Sequence, residues 1–329
     1  MPTLTVDKNG SGLRLDRFLK KVLPSMPMGH IFKLLRTRKV RVNGKRAKAD
    51  KKLEQGDKII IHMPMERFQD DSKRPIRPAT SLDFNTIFED EHLLVVSKPA
   101  NLPVHSGAGH SSNCLIDQVH AYLEVRDRPG AFRPSLAHRL DKDTSGLVMI
   151  GKDAQTLREI SLALKEGRIT KKYLALCVGI PSPKKGTWEL EVRRKDVPGY
   201  GKSPKKPRDK KPSMGITSYR VAISRKLKLG SAKALTLSLL VCKLHTGRTH
   251  QIRSHLEQVG HPLAGDRRYG DKDLNRLLRE YFGIRRQFLH AYRLNLTHPV
   301  THKVLNLSSP YPQDLMPLVK HLKLGIPAY

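Results

Sequence analysis

The sequence is short of the features that hold extracellular and membrane proteins together. Its three cysteines, Cys114, Cys177 and Cys242, lie too far apart for a paired disulfide framework or a Cys-x-x-Cys metal site. Apolar runs stay well below the ~20 residues of a membrane span, and the first residues lack the apolar stretch of a signal peptide. We therefore expect a cytoplasmic protein in a reducing compartment, with no membrane partner.

Acidic residues are also scarce relative to basic ones. The chain of 329 residues has 30 Asp and Glu against 62 Lys and Arg, which gives a formal net charge of +32. Like charges on one folded surface repel one another, and a polyanionic partner is the usual compensation. Since 38% hydrophobic residues can supply the cores of two domains, we expect a folded protein. By charge alone, nucleic acid is the first candidate partner and an acidic membrane the second, and we expect nucleic acid.

Residues 1–63 are predicted to form a small basic α/β domain. Apolar residues at helical spacing predict two short helices, the first carrying Leu15, Phe18, Leu19 and Val22 and the second starting near Ile31. Alternating residues from Val40 to Val42 then lead into Asn43-Gly44, which favours a hairpin turn. The basic residues of the second helix and the hairpin predict a phosphate-facing surface that includes Arg36, Arg38, Lys39 and Arg41. The alternative is a solvated basic face on a structural module.

The order of short words in this segment, from Leu15-Asp16-Arg17-Phe18-Leu19 through Val40-Arg41-Val42-Asn43-Gly44 to Gly56-Asp57, resembles the S4 RNA-binding domain. Prolines among polar residues predict a linker over residues 64–81. Mixed helix and strand patterns then predict a second domain over residues 82–329. Within it, residues 181–212 are rich in Lys, Arg and Pro and are predicted to be mostly an exposed basic insertion, with one strand around Trp188 to Val192.

The first motif that carries chemistry runs from His138 to Gly146 and reads HRLDKDTSG. It places Asp141 among the cationic residues Arg139 and Lys142, whose charges favour an ionised carboxylate. An ionised carboxylate acts as a nucleophile or as a base. The spacing equally allows an Asp that caps a turn while its basic neighbours face solvent.

The second motif runs from Leu244 to Leu256 and reads LHTGRTHQIRSHL. Thr249 is predicted to cap a helix that Gly260 ends. Arg248 would then lie at the positive end of that helix, which is a good position for binding a phosphate or a carboxylate. His250 and His255 are five positions apart with no glutamate between them, so the zinc-protease pattern is excluded and no metal is expected.

The two motifs together resemble the RluA/RluC family of RNA pseudouridine synthases. The resemblance covers about residues 82–312 and includes Lys98-Pro99, Val104-His105 and the run from Lys171 to Ala175. It implies an α+β catalytic domain on a mixed, mainly antiparallel sheet, behind the small S4-like domain. It also implies an enzyme that isomerises uridine to pseudouridine in 23S ribosomal RNA without metal or cofactor, by breaking the N1–C1′ bond and rejoining the uracil through C5.

The resemblance also implies residue roles. Asp141 is the expected nucleophile, with attack at C6 of the base or at the ribose left open. Tyr173 is expected to pack on the base and to help remove the C5 proton, and Arg253 to pair with the catalytic carboxylate. Arg139 is the expected wedge that fills the space of a flipped nucleotide, with ordinary phosphate binding as the alternative. His138 and Arg248 are expected to contact RNA.

Two other functions remain open from the sequence. One is a pseudouridine synthase of the same family that acts on transfer RNA. The other is a catalytically silent RNA-binding protein of ribosome assembly, against which the joint presence of Asp141, Tyr173 and Arg253 argues.

Overall fold

The computed structural model describes residues 1–72, 81–105, 113–125, 132–193, 213–230 and 234–327. The chain forms two compact units, each built from segments that are separated in sequence. The first unit takes Met1–Leu82, His105–Leu136 and Ile150–Arg158, and the second takes Asp83–Val104, Ala137–Met149 and Glu159–Tyr329. The predicted division at residues 63 and 82 stays a prediction.

The first unit begins with a small sheet and three helices. In chain order, these are β1 (Thr3–Thr5), α1 (Leu15–Val22), α2 (Met28–Arg36), β2 (Val40–Val42), β3 (Lys45–Arg46), β4 (Lys58–Ile61) and α3 (Met65–Ser72). The strands are antiparallel in the order β1-β4-β2-β3. Both predicted helices and the hairpin are confirmed, and Asn43 and Gly44 take the positive φ angles of 50° and 75° that close it. The apolar faces of α1 and α2 are buried against the sheet.

Helix α3 lies where the sequence predicts a linker without structure. Phe68 is buried in the core of the first unit, and its backbone N–H bonds to the Pro64 carbonyl. Two apolar residues, Met65 and Phe68, are too few to give a periodic signal, but one buried aromatic ring is enough to dock a short helix. Residues 73–80 of the predicted linker lie outside the described part of the chain.

From residue 81 onward the described elements alternate between strands and helices. They are β5 (Asn85–Glu89), β6 (Leu93–Lys98), α4 (Leu115–Tyr122), β7 (Ser135–Leu136), β8 (Ser145–Gly151), α5 (Ala154–Lys165), β9 (Thr170–Val178), β10 (Lys185–Glu191), β11 (Met214–Leu227), β12 (Leu235–Leu244), α6 (Gln251–Gln258), α7 (Lys272–Phe282), β13 (Leu289–Thr297), β14 (Val304–Ser308), a 3₁₀ helix (Gln313–Leu315) and α8 (Met316–His321).

Ten strands of this described region form one mixed sheet. Its main order is β10-β11-β12-β9-β13-β8-β6-β5, while β14 pairs with β13 and β7 with β8. Strand β8 runs parallel to β13, whereas the pairs from β10 through β9 to β13 and the pair β5–β6 are antiparallel. The expected mixed, mainly antiparallel sheet is therefore confirmed.

Apolar clusters on the sheet hold the second unit together. One joins β9, β12 and β13 to α7 and α8 through residues such as Leu239, Leu278 and Leu318. Another joins β6 and β8 to α5 through residues such as Val95 and Ile160. These strands and helices form the frame that carries the loops described below.

The strand predicted around residues 188–192 of the basic insertion is present and starts earlier than predicted. Residues Lys185–Glu191 form the full strand β10 against β11, and Trp188 stacks on Tyr219 with ring centroids 3.8 Å apart. Cross-strand aromatic pairing outweighs the polar composition there. Residues 194–212 lie outside the described part of the chain.

The three cysteines are buried and free, in agreement with the expected lack of disulfides. No helix in the described segments combines the length and apolar composition needed to cross a membrane.

Candidate active site

The loop before β8 carries Asp141 into a pocket of the second unit. The Thr144 backbone N–H donates to the Asp141 carbonyl over 3.1 Å and closes a turn. Two residues later Gly146 adopts a φ of 114°, and a Cβ there would lie 2.2 Å from the Ala291 carbonyl oxygen of β13. The glycine of the first motif is therefore required by the close approach of β8 to β13.

A buried lysine holds the backbone of this loop from one side. The Nζ atom of Lys98 donates to the carbonyl oxygens of Pro99, Leu102 and Lys142 at 2.7, 2.8 and 2.9 Å. Burial, together with the charge of Arg286, lowers the pKa of Lys98 to about 7. Three carbonyl acceptors compensate the ammonium group for lost water. The Lys-Pro pair of the sequence is thus an anchor for the peptide that follows Asp141.

A buried arginine holds the next peptide. Arg286 donates to the Asp143 carbonyl at 3.1 Å and to the Ser145 hydroxyl at 3.2 Å. Its guanidinium forms a two-point ion pair with Asp314, at 2.6 and 3.0 Å. Such a pair fixes both the position and the plane of the guanidinium. Lys98 and Arg286 therefore restrain the backbone on the C-terminal side of Asp141.

The Asp141 carboxylate itself pairs with Arg253 of α6. The Nη1 atom of Arg253 donates to Oδ2 of Asp141 at 3.1 Å, while its Nε and Nη2 atoms donate to the two Asp266 oxygens at 2.7 and 2.9 Å. Asp266 is fully buried and also accepts the backbone N–H groups of Arg268 and Tyr269. The structure thus brings together two residues that are 112 positions apart, and Asp266 fixes the arginine between them.

The charge of Arg253 is secured by its partners. Burial alone lowers the pKa of this guanidinium, but hydrogen bonding to Asp266 and the charges of Asp266 and Asp141 outweigh burial and raise the pKa above its ordinary value. Arg253 is only 2% exposed, whereas Asp141 is 19% exposed. The carboxylate therefore faces the pocket, with a buried, permanently charged partner behind it.

Tyr173 lines the same pocket from β9. Its side chain is buried, and burial, with the neighbouring charge of Asp141, raises the pKa of its hydroxyl. The phenol consequently stays protonated at neutral pH. Its expected packing against a base is compatible with this state, but the expected removal of a C5 proton would need the costly phenolate.

His250 completes the surroundings of the carboxylate. Its Nε2 atom lies 3.8 Å from Oδ2 of Asp141, and its Nδ1 atom lies 3.1 Å from the Tyr269 hydroxyl. Burial lowers the pKa of His250 to about 4 even though Asp141 opposes the shift. The imidazole is therefore neutral at pH 7 and adds no second positive charge beside Asp141.

The pocket has a volume of about 360 Å³, and several cationic side chains line it. Its basic lining residues are Arg139, Lys165, Lys171, Lys243 and Arg248. Among the described lining residues of this pocket and of the smaller one beside it, Asp141 is the only carboxylate. A single anionic group inside a cationic pocket suits a ligand that carries phosphates around one reacting centre.

The predicted RNA contacts in the two motifs differ in exposure and in hydrogen bonding. Arg139 and Arg248 are exposed at the pocket, where they can reach a ligand. His138 instead accepts the Met149 backbone N–H on Nε2, and burial together with the charge of Lys171 lowers its pKa to about 3. A neutral ring held by β8 suits bracing of the loop better than the predicted phosphate contact.

The start of α6 differs from the prediction that Thr249 caps it. The residue before the helix is His250, which has a positive φ of 61° and makes no side-chain cap. The Gln251 amide oxygen instead accepts the Arg248 backbone N–H at 3.1 Å and the Thr246 hydroxyl at 2.7 Å. The cap prediction is wrong, because the Gln251 side chain inside the helix accepts the hydrogen bonds of the turn before it. The Arg248 backbone N–H is therefore not available for the predicted anion site.

The basic surface predicted in the first unit is present. Arg36, Arg38, Lys39 and Arg41 are all exposed, and Arg38 has the positive φ of 61° that turns the chain from α2 into β2. The alternation of β2 keeps Val40 and Val42 buried while Arg41 points to solvent.

Sequence reasoning gave no role in the site to Lys98, His250, Asp266 or Arg286. Their functions depend on atoms that the fold brings close, so no local pattern identifies them. The one available signal is the burial of a charged side chain, and burial is known only from the folded structure.

Comparison with known proteins agrees with this geometry. A family model described as RNA pseudouridylate synthase matches residues 92–258, and an S4 domain model matches residues 13–59. The human RNA Pseudouridylate Synthase Domain Containing 4 protein has a similar structure, with a TM-score of 0.54 and 25% sequence identity, covering 74% of this chain and 95% of that one.

Curated relatives are similar over nearly the whole chain. The ribosomal large subunit pseudouridine synthase C of Escherichia coli (strain K12) is 34% identical, covering 97% of this chain and 95% of that protein. The protein of the same name from Vibrio cholerae is 33% identical, covering 93% and 92%. With an S4 domain ahead of a matching catalytic segment, the chain belongs to the RNA pseudouridylate synthase family.

Proposed function

We propose that this protein isomerises specific uridines to pseudouridine in the 23S RNA of the large ribosomal subunit, with Asp141 as the nucleophile. The observation that carries the proposal is the pairing of Asp141 with the buried, charged Arg253 inside a cationic pocket. The names of the similar relatives, ribosomal large subunit pseudouridine synthases, support the choice of RNA.

The chemistry follows from the protonation states in the pocket. The Asp141 carboxylate adds to the nucleotide at C6 of the base or at C1′ of the ribose, the N1–C1′ bond breaks, C1′ rejoins the uracil at C5, and the bond to Asp141 breaks to release the carboxylate. The proton on C5 must then leave, and N1, which has lost its bond to C1′, takes up a proton from solvent. Because Tyr173 is held as a neutral phenol, we assign that proton to the released carboxylate of Asp141, and give Tyr173 the task of packing on the base.

Access to a stacked uridine requires that the nucleotide be flipped out, which costs a few kcal/mol. Arg139 is exposed at the pocket mouth beside Asp141. Its planar guanidinium can stack in the vacated space and also contact phosphate. We therefore propose Arg139 as the wedge, and the exposed Arg248 as a phosphate contact.

Affinity for RNA is proposed to come from the remaining cations, including Arg36, Arg38, Lys39 and Arg41 of the first unit. Contacts of Lys and Arg with phosphates release condensed counterions, so binding should weaken as salt rises. Ribosomal RNA loops with accessible uridines fit this mode of recognition.

The test is tritium release from RNA labelled with [5-³H]uridine, since pseudouridine formation expels the hydrogen at C5. Unmodified 23S RNA should release tritium with the wild-type protein and with the exposed-site control Asp273→Asn. The Asp141→Asn variant should release none, while its RNA affinity stays within about threefold because the cationic surface is intact. Turnover by Asp141→Asn would remove the proposed nucleophile. Release from transfer RNA but not from 23S RNA would reassign the substrate.

A further inference from the structure

The first unit contains a second pocket, of about 250 Å³, between α2 and α3. One wall is the α2 face that presents His30, Lys33 and Leu34, and the opposite wall is formed by the segment from His62 to Arg67. Helix α3, which the sequence does not predict, therefore supplies one side of this pocket. Its volume is just below the range of about 300–1,000 Å³ that small-ligand sites usually have.

The charged side chains around this pocket are all basic. Lys33, Lys39 and Arg67 line it, and no Asp or Glu is among the lining residues that the structure describes. Lys33 and Lys39 are exposed, and the described carboxylates form no ion pair with either of them. The Lys39 carbonyl accepts the His62 backbone N–H at 2.7 Å, which fixes this rim to the end of β4. The rim therefore attracts anions.

The floor of the pocket is apolar and polarizable. Met26 and Met63 are 3% and 8% exposed, and the half-buried Leu34 lies beside them. Methionine side chains adapt to flat rings and make favourable sulfur–aromatic contacts. The His62 Nε2 atom is buried in the wall and has no hydrogen-bond partner among the described residues, so a polar group is available to a ligand that enters.

We propose that this pocket binds one unpaired nucleotide of the RNA, with its base on the two methionines and its phosphates on Lys33 and Lys39. A planar, partly polar ring joined to anionic groups matches the apolar floor, the unpaired imidazole nitrogen and the basic rim together. A paired nucleotide cannot present its base to a pocket, so the site selects single-stranded segments. The inference rests on the proposal that the chain acts on RNA, and adds a recognition site outside the catalytic pocket.

The experiment measures binding of the full-length protein to a uridine-free single-stranded octamer of A and C, which offers the catalytic pocket no substrate. The variant Lys33→Ala/Lys39→Ala is compared with Lys272→Ala/Lys303→Ala, which removes the same charge from exposed sites of the second unit. Each lost phosphate contact should reduce the slope of log K against log salt by about 0.7 for single strands. We expect the slope to fall by about 1.4 and the affinity at least tenfold for the pocket variant, and less than twofold for the control.

Two further measurements separate a nucleotide pocket from a simple phosphate stripe. In the pocket variant, affinity for a duplex of the same length should fall less than affinity for the single strand; an equal loss on duplex and single strand overturns the proposal. An octamer carrying one 8-azidoadenosine should cross-link to peptides containing residues 26–39 or 62–67, and adducts confined to the second unit would also overturn it. Tritium release by the wild-type protein is scored separately, so failure of the proposed activity is distinguished from failure of this site.

Discussion

Asp266 provides a direct test of how the catalytic carboxylate is held. Its two oxygens accept Nε and Nη2 of Arg253 at 2.7 and 2.9 Å, and both residues are buried. In the Asp266→Asn variant one acceptor becomes an NH₂ group that faces a donor of Arg253. Arg253 then keeps its charged partner Asp141 but loses the charge of Asp266, and the plane of its guanidinium is no longer fixed.

The expected losses can be worked from these contacts. Removing one partner of a buried ion pair costs about 3–5 kcal/mol, and 1 kcal/mol lowers Tm by about 2–4 °C for a unit of this size. We take the lower bound, because Asp141 still neutralises part of the charge, and expect a fall in Tm of about 6–12 °C. A misplacement of about 1 Å at the reacting group lowers the rate about 100-fold, so kcat should fall by about that factor. KM should stay nearly unchanged, because Asp266 is inaccessible to RNA.

Calorimetry and single-turnover tritium release below the lowered Tm measure the two effects. The control is Asp271→Asn, which caps α7 through the Leu274 N–H and should behave as wild type because Asn caps as well as Asp. Wild-type kcat in Asp266→Asn would refute the idea that Asp266 orients the arginine. A rise in KM without loss of kcat would refute it as well, because it would place Asp266 in RNA binding.

Two other predictions concern the buried cations beneath the loop. In Arg286→Lys the shorter side chain cannot reach both Asp314 and the Asp143 carbonyl, so we expect kcat to fall about 10-fold to 100-fold. The control Arg285→Lys, at an exposed neighbouring position, should keep wild-type activity. Equal activity of the two variants would show that the loop needs no such support. Because burial lowers the pKa of Lys98 to about 7, the unfolded chain binds more protons than the folded one between pH 7 and its ordinary value, so this residue makes stability rise with pH in that window. Urea titrations at pH 7 and pH 9 should show a stability gain about 2 kcal/mol larger in wild type than in Lys98→Met, and parallel gains in the two proteins would contradict the lowered pKa of Lys98.

Local elements of this protein could be read from its sequence. The i, i+3, i+4 spacing of α1 and the Asn43-Gly44 turn depend on neighbours within a few residues, and both are present. Helix α3 is different, because the sequence does not predict it. It forms because Phe68 finds distant partners in the core of the first unit, which local composition does not reveal.

For the site, the two motifs and the run from Lys171 to Ala175 indicated Asp141, Arg253 and Tyr173, through their resemblance to a family. What the tertiary structure alone decided is how their charges are balanced. The sequence order of Asp266, Lys98 and Arg286 says nothing about a shared environment. Their hydrogen bonds of 2.7–3.1 Å join groups 13 to 143 residues apart and exist only once β8, β13 and α6 have packed. The sequence by itself determined the types of chemical group available, whereas the fold decided which of them lose water together and so which protonation states the pocket can hold.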